Sequence, residues 1–166
     1  MKRKIITLIN TLLLLTLFSA THAQQVDNQL WGTWEMQSAK QTTFQNGENR
    51  GTTNLQKTDL MKENARVPQD LFLRLCFFDN NVGACVAGKE SSRYLNINEK
   101  GTFTTSGNSL TVALTKVLAG KEEQVIHKLE YSIRGDELTI NYMLPNPTDA
   151  SISYRYEMTF KQTSEE

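Results

Sequence analysis

Apolar and polar residues alternate along most of the chain after Leu71, and this period of two constrains the fold more than any other feature of the sequence. The alternation is clearest near the C-terminus, where every second residue is apolar or aromatic: Ile152, Tyr154, Tyr156, Met158 and Phe160. Successive side chains of a β-strand point to opposite faces, so this pattern is typical of a strand with one buried face. Residues 110–114, 125–133 and 138–142 repeat it. The pattern predicts a series of β-strands.

Short turn sequences separate these strands. Residues 106–108 (Ser-Gly-Asn) and 134–137 (Arg-Gly-Asp-Glu) predict tight hairpins, and 99–101 (Glu-Lys-Gly) predicts a turn between strands at 94–98 and 102–105. A further strand is predicted at 71–78, which is apolar on both faces. About eight strands joined in sequence predict an all-β fold, a single antiparallel up-and-down β-barrel, because closure removes exposed sheet edges.

One long polar segment, Gln45 to Asp70, interrupts this pattern. A segment of that length without apolar periodicity predicts a long loop. It is either a solvated surface insertion or a flap over the open end of a barrel, and residues 54–64 are compatible with one or two turns of helix.

The N-terminus has the pattern of a secretory signal peptide. Three basic residues precede an apolar run of 14 residues from Ile5 to Phe18, and small residues follow up to Ala23. A transmembrane helix needs about 20 apolar residues, so we expect cleavage after Ala23 and no stable membrane anchor. Residues 1–23 are the predicted signal peptide and 24–166 the predicted domain. The domain is expected to be exported to a bacterial periplasm or the extracellular space.

The charge balance and the side-chain inventory disfavour several functions. After cleavage the chain would carry 15 basic and 18 acidic residues, whereas nucleic-acid-binding domains normally present a basic face. His127 would be the one remaining histidine, and it shares the apolar phase of its strand. No nucleophile elbow, zinc-protease or phosphate-loop motif occurs in the sequence. We therefore expect a protein that is not an enzyme, with no cofactor, metal or nucleic-acid partner. A hydrolase is the remaining alternative, and it would need two carboxylates that point into one cleft.

The two cysteines, Cys76 and Cys85, are expected to have a structural role. Residues 79–83 between them predict a turn that brings their flanks side by side. In an oxidising compartment the two residues are suitably placed for a disulfide. The alternative is a pair of buried thiols, since free cysteine is often a core residue.

The stretch Leu30-Trp31-Gly32-Thr33-Trp34 stands at the start of the predicted domain, ahead of the strand series. A Gly-x-Trp in this position resembles the lipocalins and the wider calycin group, in particular the lipocalin-like domains of secreted bacterial proteins. Segments 94–103 and 133–140 are similar to the same pattern. The resemblance implies that Trp34 plugs the closed end of the barrel while a basic residue of the last strand packs across it. Arg155 and Lys161 are available, although both are out of phase with the apolar face of that strand. Gly32 is expected to allow close approach of the backbone.

The same resemblance implies a barrel lumen that binds a small hydrophobic or amphipathic molecule. Its lining would come from the apolar faces, with a ligand site formed by His127, Tyr131, Tyr142, Tyr154, Tyr156 and Met158. The alternative is that these residues fill the interior of a small barrel as core. The alternative function is then a filled-barrel interaction or inhibitor module that docks to another cell-envelope protein.

Overall fold

A computed structural model describes residues 27–61, 71–88, 94–118 and 120–163. The predicted signal peptide lies outside the described residues. The described chain contains a 3-10 turn (Asn28–Leu30), a short helix α1 (Lys57–Leu60) and nine strands. The strands are β1 (Gly32–Gln45), β2 (Glu48–Leu55), β3 (Phe72–Phe78), β4 (Asn81–Val86), β5 (Glu99–Ser106), β6 (Ser109–Leu118), β7 (Lys121–Arg134), β8 (Glu137–Pro145) and β9 (Ile152–Thr163).

Pairing between the first and last strands closes the sheet into a barrel. β1 pairs with β9 from Thr33 to Gln45. The opposite edge of β1 pairs with β3 over Gly32–Glu35 and with β2 over Ala39–Gln45. The remaining strands pair antiparallel with their neighbours in sequence, in the order β3 to β9. The result is a closed eight-stranded antiparallel barrel with β2 as an extra strand, which confirms the predicted fold class.

The alternating residues of the strands form the interior, as the period of two predicts. Buried side chains come from every strand of the closed barrel, among them Trp34, Met36, Leu75, Phe77, Val82, Ala84, Phe103, Val112, Leu114, Leu129, Leu138, Ile140, Met158 and Phe160. The Phe77 and Phe103 rings meet edge to face with centroids 4.8 Å apart. Burial of one such large side chain contributes about 1.5–3 kcal/mol, so this interior is the main stabilising element.

The segment before β1 closes one end of the barrel. Leu30 is buried, and its carbonyl oxygen accepts a 2.7 Å hydrogen bond from Nε1 of Trp34. The backbone N–H of Asp27 donates to Oγ1 of Thr105 on β5 at 3.0 Å, and the Tyr131 hydroxyl on β7 donates to the Asp27 carboxylate at 2.9 Å. Because β1, β5 and β7 lie on different sides of the barrel, the 3-10 turn spans the opening and Trp34 fills the space beneath it.

No basic residue of β9 packs across Trp34, so that half of the expected arrangement is wrong. The Arg155 guanidinium lies 5.1 Å from the ring centroid of Phe44, on the outer face. Lys161 pairs instead with Asp136 at 3.3 Å. Both basic side chains point outward, as their phase in the sequence indicates, and Trp34 is held by its hydrogen bond to Leu30.

Gly32 has the close approach that was expected of it. Its φ is +120°, and a β-carbon there would lie 2.7 Å from Nε2 of Gln162. That amide donates to the Trp31 carbonyl oxygen at 3.0 Å, which ties the start of β1 to the end of β9.

Two expectations about secondary structure are wrong. Residues 99–101 are not a turn but the first residues of β5, and 94–98 do not form a strand. Gly101 lies there because a β-carbon would come within 1.8 Å of the Ala113 carbonyl oxygen on β6. The segment 45–70 is not one long loop, because β2 occupies 48–55 and pairs with β1. The short helix α1 falls within the expected 54–64, whereas 62–70 lie outside the described residues.

Cys76 and Cys85 lie in neighbouring strands as free thiols. The predicted turn does bring β3 and β4 together, but Cys76 pairs with Gly83 and Cys85 stands opposite Arg74. The two cysteines are thus offset diagonally and unbridged, with Cys85 buried and Cys76 half-buried. Burial raises the pKa of the Cys85 thiol to about 11, an effect that nearby cations only partly oppose. The thiol is therefore neutral and unreactive at pH 7.

Replacing Gly101 with alanine tests the close approach of β5 to β6. The new methyl group would collide with the Ala113 carbonyl, so we expect Gly101→Ala to lower the free energy of unfolding by about 3 kcal/mol or more. Gly107→Ala is the control, since Gly107 has φ +58° with open space around it and alanine there costs about 1–2 kcal/mol. Urea unfolding measures both, and equal losses would contradict the steric role of Gly101.

The Tyr131–Asp27 hydrogen bond should make the closed end sensitive to alkali. Burial, followed by the hydrogen bond to Asp27, raises the pKa of Tyr131 from 10.0 to about 12. A raised pKa means that this stabilisation is complete below pH 10 and is lost as the pH rises through about 12. We expect Tyr131→Phe to lower stability by about 1–2 kcal/mol at pH 7 and to reduce the loss between pH 10 and 12. Thermal unfolding across this pH range checks the prediction, which fails if both proteins lose stability in parallel.

Candidate functional site

The barrel wall opens where β7 and β8 separate. Their pairing runs from Arg134–Glu137 to Glu130–Asn141 and ends there. Beyond that point β7 continues along β6 as far as Lys121, whereas β8 continues along β9 as far as Pro145. The two strands diverge there because β8 stays paired with β9, and β9 runs along β1 to the tip of the β1–β2 hairpin. The wall therefore has a lateral gap between residues 126–129 and 142–144, which we call the β7–β8 cleft.

A cavity of about 400 Å³ occupies the β7–β8 cleft. Its lining is mostly apolar, with an imidazole, a phenol and an ammonium group as polar members: Ile126, His127, Lys128, Leu129, Tyr142, Met143 and Leu144. Ile126 and Met143 are large apolar side chains that are 59% and 52% exposed on either side of the gap. A mostly apolar cavity with a few polar groups is the usual form of a small-molecule site.

Aromatic side chains pack behind the cleft and form its inner wall. The Phe72 ring meets His127 edge to face at 5.4 Å between centroids and lies 6.4 Å from Tyr142. Tyr142 stacks on Tyr156 at 5.4 Å, and Tyr154 follows at 6.4 Å from Tyr156. Four of the residues predicted to bind ligand thus come together here, namely His127, Tyr142, Tyr154 and Tyr156. The sequence reasoning missed Phe72, which it treated only as part of a doubly buried strand.

The inner members of this cluster are core residues as well as wall residues. Tyr156 is fully buried. Burial is the main reason why its pKa lies above the ordinary value, and the nearby Tyr154 adds a smaller contribution. Its phenol is neutral at physiological pH and cannot act as a base. The arrangement offers apolar surface, ring faces and a few polar groups.

Two predicted ligand residues lie away from the cleft. Tyr131 is at the closed end, where its hydroxyl binds Asp27. Met158 is fully buried opposite Ile140 and Ala39 and belongs to the core.

A second cavity of about 450 Å³ adjoins the cleft on the outer face of the barrel. It shares three lining residues with the first cavity, Lys128, Tyr142 and Met143. The rest of its lining comes from outward side chains of β7, β8 and β9: Glu130, Asn141, Arg155 and Glu157. The sequence analysis did not identify this surface because it considered only the alternating apolar residues of these strands. Most residues that line the cavity are the polar ones between them, on the opposite face of the sheet.

The described residues hold no group of three or more His, Cys, Asp or Glu side chains arranged to bind a metal ion. Within the same residues, no helix has the length and apolar character needed to cross a membrane. Comparisons of the chain with protein-family models, curated proteins and solved structures find no match.

Proposed function

We propose that this protein is an exported, lipocalin-like binding protein, not an enzyme, that takes a small hydrophobic or amphipathic ligand. The observation that carries the proposal is the apolar cavity of about 400 Å³ in the β7–β8 cleft. The ligand enters from the side of the barrel, because Phe72, Tyr142 and Tyr156 pack together across the interior behind it. The bacterial periplasm or the extracellular space is the proposed location, from the signal-like N-terminus.

Within this proposal His127 and Tyr142 orient the ligand and the aliphatic residues supply affinity. Both polar side chains are nearly buried and line the cavity, so each presents only a small polar surface. Leu129 and Leu144 provide the apolar walls. An apolar ligand that covers these surfaces gains about 25 cal/mol for each Å² removed from water.

The neutral fluorescent probe N-phenylnaphthylamine tests the proposal. We expect its fluorescence to rise on binding and Ile126→Trp to weaken binding about tenfold, because the larger side chain occupies the mouth of the cleft. Val117→Trp is the matched control: Val117 is 69% exposed on the neighbouring strand and does not line the cavity. Thermal unfolding must show both variants folded.

Native mass spectrometry of protein purified from its natural host complements the probe. A small-molecule adduct that denaturation releases would support the carrier function and identify the ligand. Absence of both probe binding and adduct would contradict it.

An alternative function is an interaction module for another cell-envelope protein. It is favoured by an exposed aromatic pair near the closed end, where Trp31 and Phe78 have ring centroids 6.0 Å apart and Phe78 is 68% exposed. Such pairs are enriched at protein interfaces. If this function is correct, Phe78→Ser should abolish a defined cross-linked complex in intact cells while Ile126→Trp leaves it unchanged.

A further inference from the structure

The charged side chains of the outer cavity are sorted into two rows that cross the strands. Glu130 pairs with Asn141, which pairs in turn with Glu157, so one row reads acid, amide, acid. The second row lies two residues farther along each strand. In it, Met143 on β8 pairs with Arg155 on β9, and Lys128 stands on β7 two residues from Glu130. The second row therefore reads base, methionine, base. The rows are about 7 Å apart, the rise of two residues in a strand.

The two rows differ in their relation to the β7–β8 cleft. The acidic row crosses the last paired position of β7 and β8, where the wall is closed. The basic row lies beyond it, and Lys128 and Met143 also line the cleft cavity. Moving outward from the cleft, a ligand head would meet the basic row first and the acidic row second.

Several of these charges remain available to a ligand. Among the described residues, neither Lys128 nor Glu130 takes part in an ion pair. The Arg155 guanidinium is stacked over Phe44, which fixes its position beside the cavity. Glu157 is paired with Lys40 at 3.2 Å, but both side chains are about half exposed, so the pair is weak.

The order of the rows selects the order of charges on the ligand. An anionic head would gain from Lys128 and Arg155 but would be opposed by Glu130 and Glu157 if it extended farther. A cationic head would be repelled by Lys128 and Arg155, because the basic row lies nearest the cleft. A head with an anion next to the tail and a cation beyond it complements both rows.

We infer that the two cavities together bind a zwitterionic amphipath whose tail enters the β7–β8 cleft and whose head has its anionic group nearest the tail. This inference rests on the proposed function and adds the class of ligand to it. The phosphate-like group lies between Lys128 and Arg155 over Met143, and the ammonium group lies between Glu130 and Glu157 over Asn141.

Two detergents with the same tail and opposite charge order provide the test. Dodecylphosphocholine has phosphate next to the tail and ammonium outside, whereas dodecyl sulfobetaine has ammonium next to the tail and sulfonate outside. We expect calorimetric titration below the micelle concentrations to show about fivefold tighter binding of the phosphocholine at low salt. Added salt should reduce the difference, because exposed charges are screened.

The matched variant exchanges the two charges on β7. Lys128→Glu combined with Glu130→Lys keeps the composition and net charge, and both sites are exposed, so folding should be retained. We expect this variant to lose or reverse the preference between the two detergents. A neutral dodecyl glycoside measures binding of the tail alone in each protein, and the affinities of the two zwitterionic detergents are compared relative to it.

The outcomes separate this inference from the proposed function. Equal binding of both detergents, or a preference that the exchange leaves unchanged, would overturn the zwitterion inference while the carrier function stands. Failure of all three amphipaths and of N-phenylnaphthylamine to bind the wild-type protein would overturn both.

Discussion

The pairing of β1 with β9 is the constraint on which the rest of the structure depends. It runs through Thr33 to Gln45 and converts an open meander into a closed barrel. Without it the sheet would have two long exposed edges, which favour aggregation. Its length has a second consequence, because β1 and β9 extend beyond the packed interior. There β2 pairs with β1, and β8 follows β9 away from β7. The lateral cleft is thus a consequence of the way the barrel closes.

Closure also makes the barrel interior behind the β7–β8 cleft too narrow for an open ligand cavity. An eight-stranded barrel is just wide enough for side chains to fill it. Here Phe72 reaches His127 and Tyr142, and Tyr142 stacks on Tyr156. The aromatic faces that predicted a ligand lining therefore serve largely as core. A ligand site and a filled interior are compatible only if the site opens through the wall, and the separation of β7 from β8 provides that opening.

Local sequence predicted those parts of the fold that depend on a period of two or on a tight turn. Strands with one buried face were recognisable, as were the hairpins at Gly107 and Gly135, both of which have positive φ. β2 gave no signal because nearly all of its side chains are exposed, so it has no apolar face to alternate. Gly101 was misread because glycine marks either a turn or a close approach, and only the distance to Ala113 distinguishes them. The diagonal offset of Cys76 and Cys85 depends on register, which the spacing of cysteines does not determine.

The candidate site was harder to predict because it depends on where two strands stop pairing. His127 and Tyr142 were correctly expected to face inward, but nothing in their neighbours indicates that the ladder ends at Glu130 and Asn141. Exposed charges ordinarily contribute little to stability, so their order on the outer face is not required by the fold. Among the four charged residues that line the outer cavity, Lys128 and Arg155 lie nearer the cleft than Glu130 and Glu157. Because the interior and the closure already stabilise the barrel, this order of charges is the feature that supports our proposal of a charged ligand head at the mouth of the cleft.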